Sequence, residues 1–508
     1  MIPESAYGFT TCLYAMSLEA WRRGLEVTFK LKPTRRYFNG ISYIVSDGIN
    51  QHLFDGSMGD VSDPKTVSIC RNKGETNKYL RKAAVPMPIG KAFTSEVTND
   101  EILKYADEIG YPLVLKPIDG GGGLGVTTNI KSRKKLGELL IELRNKRNRR
   151  SVIVEHFFEG EDYRIVVLDG NVIGAFHRRA QSVIGDGKNS IRELLRLKNR
   201  ERRVSPFLKG SLIKIDKDMI NFLKEGNKST AYVPKENERV YLRRNGEFFG
   251  QRDAVNITDT LSPHLKEAAV QAVKAIPGLR YGGVDMLVNT DTDECIINEV
   301  NAKPQIGNHL FPLEGEAIDI PRIIFDYYFP KTRYKETPNK LYYYDFEPVK
   351  SSFLNFKVSE VQLPSLPNER FEKLRLNIEG NKFNSRKFLN NIKRQMRGLN
   401  ISGEVIVHST KELVLYIAGL KHNLKNLINY LSTLINIDSL QENEYEGPVK
   451  IGFELINQIN VGKELRNENK ILQNENRLLQ NEINILKNEI NRMKDSKSWK
   501  YTSLFRKK

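Results

Sequence analysis

The chain has 508 residues, 39% of them hydrophobic, and a formal net charge of +18. That length holds roughly three or four domains with proper cores, and a mean hydropathy of −0.47 without an apolar run of about 18 residues excludes a membrane-spanning helix. The positive balance favours anionic partners: phosphates, acidic substrates, nucleic acid or a membrane surface. Cys12, Cys70 and Cys295 are scattered, which suits a reducing cytoplasm and argues against a disulfide framework or a zinc site.

Residues 1–70 read as a helix over 4–24 followed by short strands at 26–31, 41–45 and 51–54, a small α/β lobe. The N-terminus lacks a basic start followed by an apolar block, so it does not read as a secretory signal. Residues 71–92 give a helix that ends before Val85-Pro86-Met87-Pro88, because proline disfavours helical conformation in the residue before it. Lys73 at its start is a solvent lysine or a phosphate-facing one. A helix over 101–110 precedes a strand over 111–117 that carries Lys116 on the face opposite Leu113 and Leu115. Next come Gly120, Gly121, Gly122, Gly123, Leu124 and Gly125. So many glycines free the backbone to bring amide N–H groups close to an anion. The stretch fits neither the Walker pattern nor GxGxxG, since no Lys-Ser/Thr follows it.

The strand 151–155 ends in Glu155, and strands 162–168 and 171–176 form a hairpin around Asp169-Gly170. Arg164, Val166 and Leu168 share one face, and Arg178 lies on the returning strand. A basic helix spans 192–203. The clusters RNKRNRR (144–150), RLKNRERR (196–203) and the terminal FRKK read as solvated faces or loops. No zinc-finger spacing or aromatic-basic strand makes nucleic acid the first choice of partner.

The stretch GVDMLVNTDTDECIINEVN (283–301) reads as two short strands joined by a polar turn. A hairpin symmetric about Thr292 sets Asp285 opposite Glu299, with Asn301 on the same face. Directly opposed carboxylates repel unless something positive lies between them. An all-oxygen donor set suits Mg²⁺, which keeps sites for water and substrate phosphates. The alternative is a hairpin with charges on its solvent face.

Taken together, NKGETNKYLRKAAVPMP, PLVLKPIDGGGGLGV, VIVEHFFEGEDYRIVVLDGNVIGAFHRR, SVIGDGKNSIREL, VYLR, GGVDML, INEVNAKPQIGNH and YYFP resemble the ATP-grasp fold, most closely the ATP-grasp segments of cyanophycin synthetase and the bifunctional glutathione synthetases. The resemblance implies an ATP-dependent carboxylate–amine ligase that works through an acyl phosphate, with ATP and Mg²⁺ (or Mn²⁺) and small-molecule acid and amine substrates. It implies that Lys73 and Lys116 contact the ATP phosphates and that Gly121, Gly122 and Gly123 close over the nucleotide. Glu155 would accept from the adenine amino group beside the backbone of His156, Phe157 and Phe158, and Asp162 would bind the ribose. Asp285, Glu299 and Asn301 would ligate the metal. Arg164 and Arg178, with Lys116, would serve the reacting groups; Arg243 and His309 match the pattern without an assigned role. The chain departs from these relatives at Gly283, where many ATP-grasp ligases carry arginine, and over Glu247–Arg252, where the relatives are rich in Ser and Gly. No Mur-ligase-like half and no glutamate–cysteine ligase half is legible.

Residues 331–371 read as a linker. Over 372–456 the expected order is strand, helix, strand, strand, helix, strand, with the fourth strand at 449–455: a ferredoxin-like domain faintly similar to acylphosphatase. There Gly380 and Arg386 lie near phosphate-cradle positions and Val407 stands where that family has asparagine, so it reads as a degenerate docking module. Over 461–495, Leu465, Leu472, Leu479, Leu486 and Met493 recur every seven residues, with Asn469, Asn476, Ile483 and Ile490 on the other seam position. This pattern favours a parallel two-stranded coiled coil, hence a homodimer. The basic tail 496–508 resembles tails of some bacterial polysaccharide-assembly proteins and suggests contact with a membrane's inner surface. The sequence thus predicts an α/β chain: a lobe (1–70), an ATP-grasp domain (71–330), a linker, a ferredoxin-like domain, a coiled coil and a tail. A nucleotide-binding scaffold that has lost acceptor chemistry and acts through its coiled coil is the alternative.

Overall fold

The computed structural model describes residues 2–31, 40–118, 125–146, 151–243, 252–334, 339, 341–354, 358–366 and 371–458. Residues 120–124, and the heptads and tail beyond 458, lie outside them. Two compact units result: one from residues up to 340 with 345–366, the other from 341–344 with those after 366. The stretch expected as a linker is therefore divided between them. Its strand Glu360–Gln362 pairs with Glu26–Leu31 in the first unit, and Tyr342–Tyr344 runs parallel to Val449–Ile451 in the second.

Three sheets organise the first unit. The N-terminal sheet is antiparallel, with strands Glu26–Leu31, Ile41–Ser46 and Gln51–Asp55 side by side. The helix beside it, Thr11–Arg22, buries Leu13, Met16, Leu18 and Trp21. The second sheet has four strands in the order Gly90–Phe93, Val152–His156, Leu113–Pro117 and Thr127–Ile130. Its apolar face packs Leu113, Leu115, Val152 and Val154 against Ile102, Ala106, Leu136 and Leu140 from helices Asn99–Ile109 and Arg133–Ile141. The first of these helices opens with a reciprocal capping box, Thr98 with Glu101, which satisfies two N-terminal donors at once.

The third sheet positions the chemistry. Its order is Asp253–Asn256, Asn171–Arg179, Glu161–Leu168, Tyr281–Val288 and Cys295–Asn301, all antiparallel. Asp169 and Gly170 both take positive φ, 47° and 79°, as a two-residue hairpin turn of the mirror-image type requires. The helix Pro263–Lys274 packs one face, burying Leu265, Ala269 and Val273. A smaller body, with the ribbon Ser182–Ile184/Arg239–Tyr241 and helices Ile191–Val204 and Lys217–Glu225, has its own core of Val183, Ile191, Leu195, Met219 and Leu242.

In the second unit, strands Glu372–Gly380, Ser402–Val407 and Glu412–Gly419 and helices Arg386–Gly398 and Lys421–Ser432 follow the expected order. The fourth strand differs: it is Ile437–Glu444, on the outer edge of Glu372–Gly380. Residues 449–457 instead break at Gly452, whose φ is +100°, and Phe453–Asn457 runs parallel to Ser402–Val407. The polar strand 437–444 shows burial on few residues, so it lacked the apolar run by which strands are recognised.

Candidate active site

The acidic hairpin has the expected register at its functional end. Gly283 pairs with Asn301 and Asp285 with Glu299, and then Met286 pairs with Ile297. Asn298 is thus an extra residue, a bulge that re-aims the strand. Here Lys116 Nζ donates to Asn298 Oδ1 at 3.3 Å, and on the outer edge Ile297 N donates to the Pro86 carbonyl at 2.8 Å.

Asp285, 5% exposed, sits in a row of charges across the sheet. Arg164 is its register partner on the neighbouring strand and grips it with two bonds, Nε to Oδ1 and Nη2 to Oδ2, the latter 2.9 Å. Arg178 Nη2 lies 2.9 Å from Asp285 Oδ1 and also donates to Asp162 Oδ1 at 2.7 Å. Arg252 Nη1 takes the other oxygen of Asp162. Three guanidiniums therefore share two carboxylates. Burial opposes ionisation of Asp285, but Arg164 and Arg178 outweigh it and hold the carboxyl below its ordinary range. Burial likewise works against Arg178, yet Asp285 and Asp162 raise it above the usual guanidinium value.

Two lysines complete the site. Lys73 is the first residue of helix Lys73–Lys82, capped by Asn72 accepting from Glu75 N, and its Nζ is 3.8 Å from Glu299 Oε2. Glu299 keeps about a third of its side chain exposed, at 32%. Lys116 Nζ lies 2.6 Å from Glu155 Oε2, with both residues buried. His156 N and Phe157 N donate to the carbonyls of Ile89 and Pro112, which fixes the chain beyond Glu155.

The structure thus brings Lys116 together with Glu155, and Asp162, Arg164, Arg178 and Asp285 into one network. Asp162, expected to face a ribose, has its oxygens on Arg178 and Arg252. Of the glycine loop only Gly125, with φ +81°, is described; Gly121, Gly122 and Gly123 lie outside the described residues. Arg243 is buried on Asp216 (2.6 Å) and Gln181 (3.1 Å). His309 is 2% exposed, its ring edge-on to Phe176 with centroids 4.8 Å apart. Burial, with Arg164 nearby, lowers its pKa to about 3.

Of the residues expected to hold a divalent cation, Glu299 is partly open, while both oxygens of Asp285 are engaged by Arg164 and Arg178. Asp285, Glu299 and Asn301 offer only oxygens from facing strands, and the Glu299 carboxylate is accessible beside one lysine. Among the described residues no group of three or more His, Cys, Asp or Glu could hold an ion by itself. A divalent cation held by so few carboxylates would need its remaining ligands from water or a bound phosphate.

Sequence reasoning missed four contributors. Asn298 is invisible without the bulge. Arg252 follows residues outside the described set and carries no pattern of its own. Arg202 and Lys198 were assigned to a solvated basic face, yet Arg202 is 1% exposed. The signal was present: Ile191, Leu194, Leu195, Lys198 and Arg202 fall on one helical stripe.

Residues 83–212 match the ATP-grasp domain of prokaryotic glutathione synthetase. Over these residues the chain is similar to an ATP-grasp domain. The matched stretch contains Lys116, Glu155, Asp162, Arg164 and Arg178 and ends before the acidic hairpin. The chain is 30% identical over 303 residues to the cyanophycin synthetase of Crocosphaera subtropica, covering 58% of this chain and 34% of that protein. It is also 30% identical over 313 residues to the glutathione biosynthesis bifunctional protein of Clostridium perfringens, covering 59% and 38%. It therefore spans little more than a third of the length of these curated relatives. A bifunctional glutathione synthetase from Pasteurella multocida superposes with a TM-score of 0.46 at 24% identity, covering 57% of this chain and 41% of that one.

Proposed function

We propose that the chain is an ATP-dependent ligase that joins a carboxylate to an amine through an acyl phosphate. The observation that carries this reading is the convergence of Asp285, Glu299, Lys73, Arg164 and Arg178 in a chain similar over residues 83–212 to an ATP-grasp domain. In this reading Lys73 and Lys116 hold the phosphates, and Glu155 with the 156–158 backbone holds the base. Asp162 lies toward the ribose, and Gly121, Gly122 and Gly123 close over the nucleotide. Asp285, Glu299 and Asn301 hold Mg²⁺, or Mn²⁺ in its place, which screens phosphate charge when bound. Arg164 and Arg178 draw the substrate carboxylate toward the γ-phosphorus despite its like charge. A carboxylate oxygen attacks that phosphorus and ADP leaves. The amine nitrogen then attacks the acyl carbon, phosphate leaves, and the amine's proton passes to solvent. The residues position and neutralise rather than bond covalently.

The remaining chain is read as support. The 372–456 region serves as a ferredoxin-like docking module, the 461–495 heptads as a parallel dimer contact, and the basic tail as a contact for an anionic membrane surface in a cytoplasmic setting. No described helix is long and apolar enough to cross a membrane. One observation favours the second reading, a nucleotide-binding scaffold: both Asp285 oxygens are already held by guanidiniums. Trapping with hydroxylamine separates the two. A ligase releases phosphate and forms a hydroxamate when given ATP, Mg²⁺ and a suitable acid from a panel of amino acids, short peptides and sugar acids. ATP binding without hydroxamate from any acid supports the scaffold.

A further inference from the structure

The second unit sorts its charges by layer. Helices Arg386–Gly398 and Lys421–Ser432 press Phe388, Ile392, Leu424 and Leu427 into one core with Leu376 and Leu415 of the sheet, so both lie on the same sheet face and their opposite sides form one outer layer. Residues 381–403 and 413–437 contain no Asp or Glu apart from none on either helix, while the edge strand Ile437–Glu444 carries Asp438, Glu442 and Glu444. On the first helix Arg386, Lys387, Lys393, Arg394 and Arg397 are all exposed. At about 100° and 1.5 Å per residue they fall within an arc of about 120° opposite the buried stripe, in a row about 16 Å long. His422 and Lys425 extend the exposed cationic surface onto the second helix. Lys421 is paired with Glu372 at 3.1 Å, but none of the five cations on the first helix forms an ion pair among the described residues. At the end of the layer where their row begins, Ile435 is fully exposed. Its neighbour Asn436 fixes it there: the Asn436 carbonyl accepts from Asn381 N at 2.8 Å, and Asn436 Nδ2 donates to the Asn381 carbonyl at 3.1 Å.

A row of unpaired cations repels itself until an anionic partner covers it. A helix layer that holds cations while the acids stay on the strands meets a planar anionic surface in one orientation, and an exposed isoleucine beside such a row is a group that an interfacial contact buries. Nucleic acid shares the phosphate chemistry, but single strands are held on aromatic rings, and this layer exposes none among the described residues. We propose that the helix layer of the second unit docks onto an anionic lipid surface, with Ile435 entering the headgroup region. The inference goes beyond the ligase reading and stands without it. It gives the docking module a face and a partner, and it places a membrane contact on folded structure as well as on the tail.

The test uses the full chain with vesicles of phosphatidylcholine, alone or mixed with phosphatidylglycerol. Flotation should find the chain on the mixed vesicles and not on phosphatidylcholine alone. Lys393→Gln, Arg394→Gln and Arg397→Gln together should lower the partition coefficient about 100-fold, at about fivefold per cation, with the melting temperature kept because all three side chains are exposed. Ile435→Trp should add tryptophan emission that shifts to the blue on mixed vesicles. An unchanged partition coefficient in the folded triple variant would assign the binding to the tail and overturn the proposal. Equal binding to both vesicles, binding to neither, or no blue shift in Ile435→Trp would overturn it too, as would displacement from the vesicles by a short DNA duplex at equal phosphate, which would name nucleic acid as the occupant. Should the triple variant not fold, Arg394→Gln alone decides, with an expected loss of about fivefold.

Discussion

Asp285 and Glu299 face each other across one strand pair, yet the structure gives them different burdens, and neutralising each separates stability from activity. Asp285 is 5% exposed and takes bonds from Arg164 and Arg178. In Asp285→Asn the shape remains, but an NH₂ donor must face guanidinium donors, and Asp162 alone is left among three arginines. Breaking a buried pair in this way costs about 3–5 kcal/mol. Glu299 keeps 32% of its side chain exposed, with Lys73 at 3.8 Å. Glu299→Gln should therefore cost less than about 1 kcal/mol. Both changes should abolish ATP turnover if both carboxylates serve the phosphates. Urea denaturation of the two variants measures the stability difference, and phosphate release measures the activity. Equal destabilisation by the two variants would refute the assignment of structural charge to Asp285, and retained turnover in both would refute the metal-site reading.

Lys116→Met should weaken ATP binding and strand the buried Glu155, destabilising the chain by about 3 kcal/mol; adding Glu155→Leu should restore stability but not ATP affinity, as read by equilibrium dialysis and melting. Gly283→Ala should cost about 1–3 kcal/mol, because the new Cβ would lie 2.7 Å from Pro304 Cβ; an unaltered denaturation midpoint would show that Pro304 yields freely. His309 has a folded pKa of about 3 against an ordinary 6.5, so it contributes stability above pH 6.5 that is lost as the pH falls toward 3. The slope is at most about 1.4 kcal/mol per pH unit, and His309→Leu should flatten it in urea titrations over that window. A chain ending at residue 458 should be monomeric by light scattering and the full chain dimeric; identical masses would remove the coiled-coil reading.

The acidic hairpin was legible because two opposed carboxylates at symmetric positions leave a pattern. The register at the turn would by itself set Asp285 opposite Asn298, and the bulge there brings Glu299 into place; that bulge was not legible, since it changes no periodicity until the partner strand is known. The arginine network was half visible. Arg164 and Arg178 stood out on strands, but that they would hold Asp162 and Asp285 depends on strand neighbours far apart in sequence. Arg202 was misplaced because charge was allowed to outweigh helical phase. The fourth strand of the second unit was misplaced because residues 437–444 carry polar side chains and are recognised only by their pairing with Glu372–Gly380.

Strand Cys295–Asn301 ends its sheet, and an exposed ladder there would be a template on which a neighbouring molecule could add. Where Pro86 accepts from Ile297, the covering segment has a ring in place of an N–H. It can quench the exposed donor but cannot continue the ladder outward. The same prolines that stop the preceding helix thus blunt this sheet edge close to the acidic residues of the hairpin.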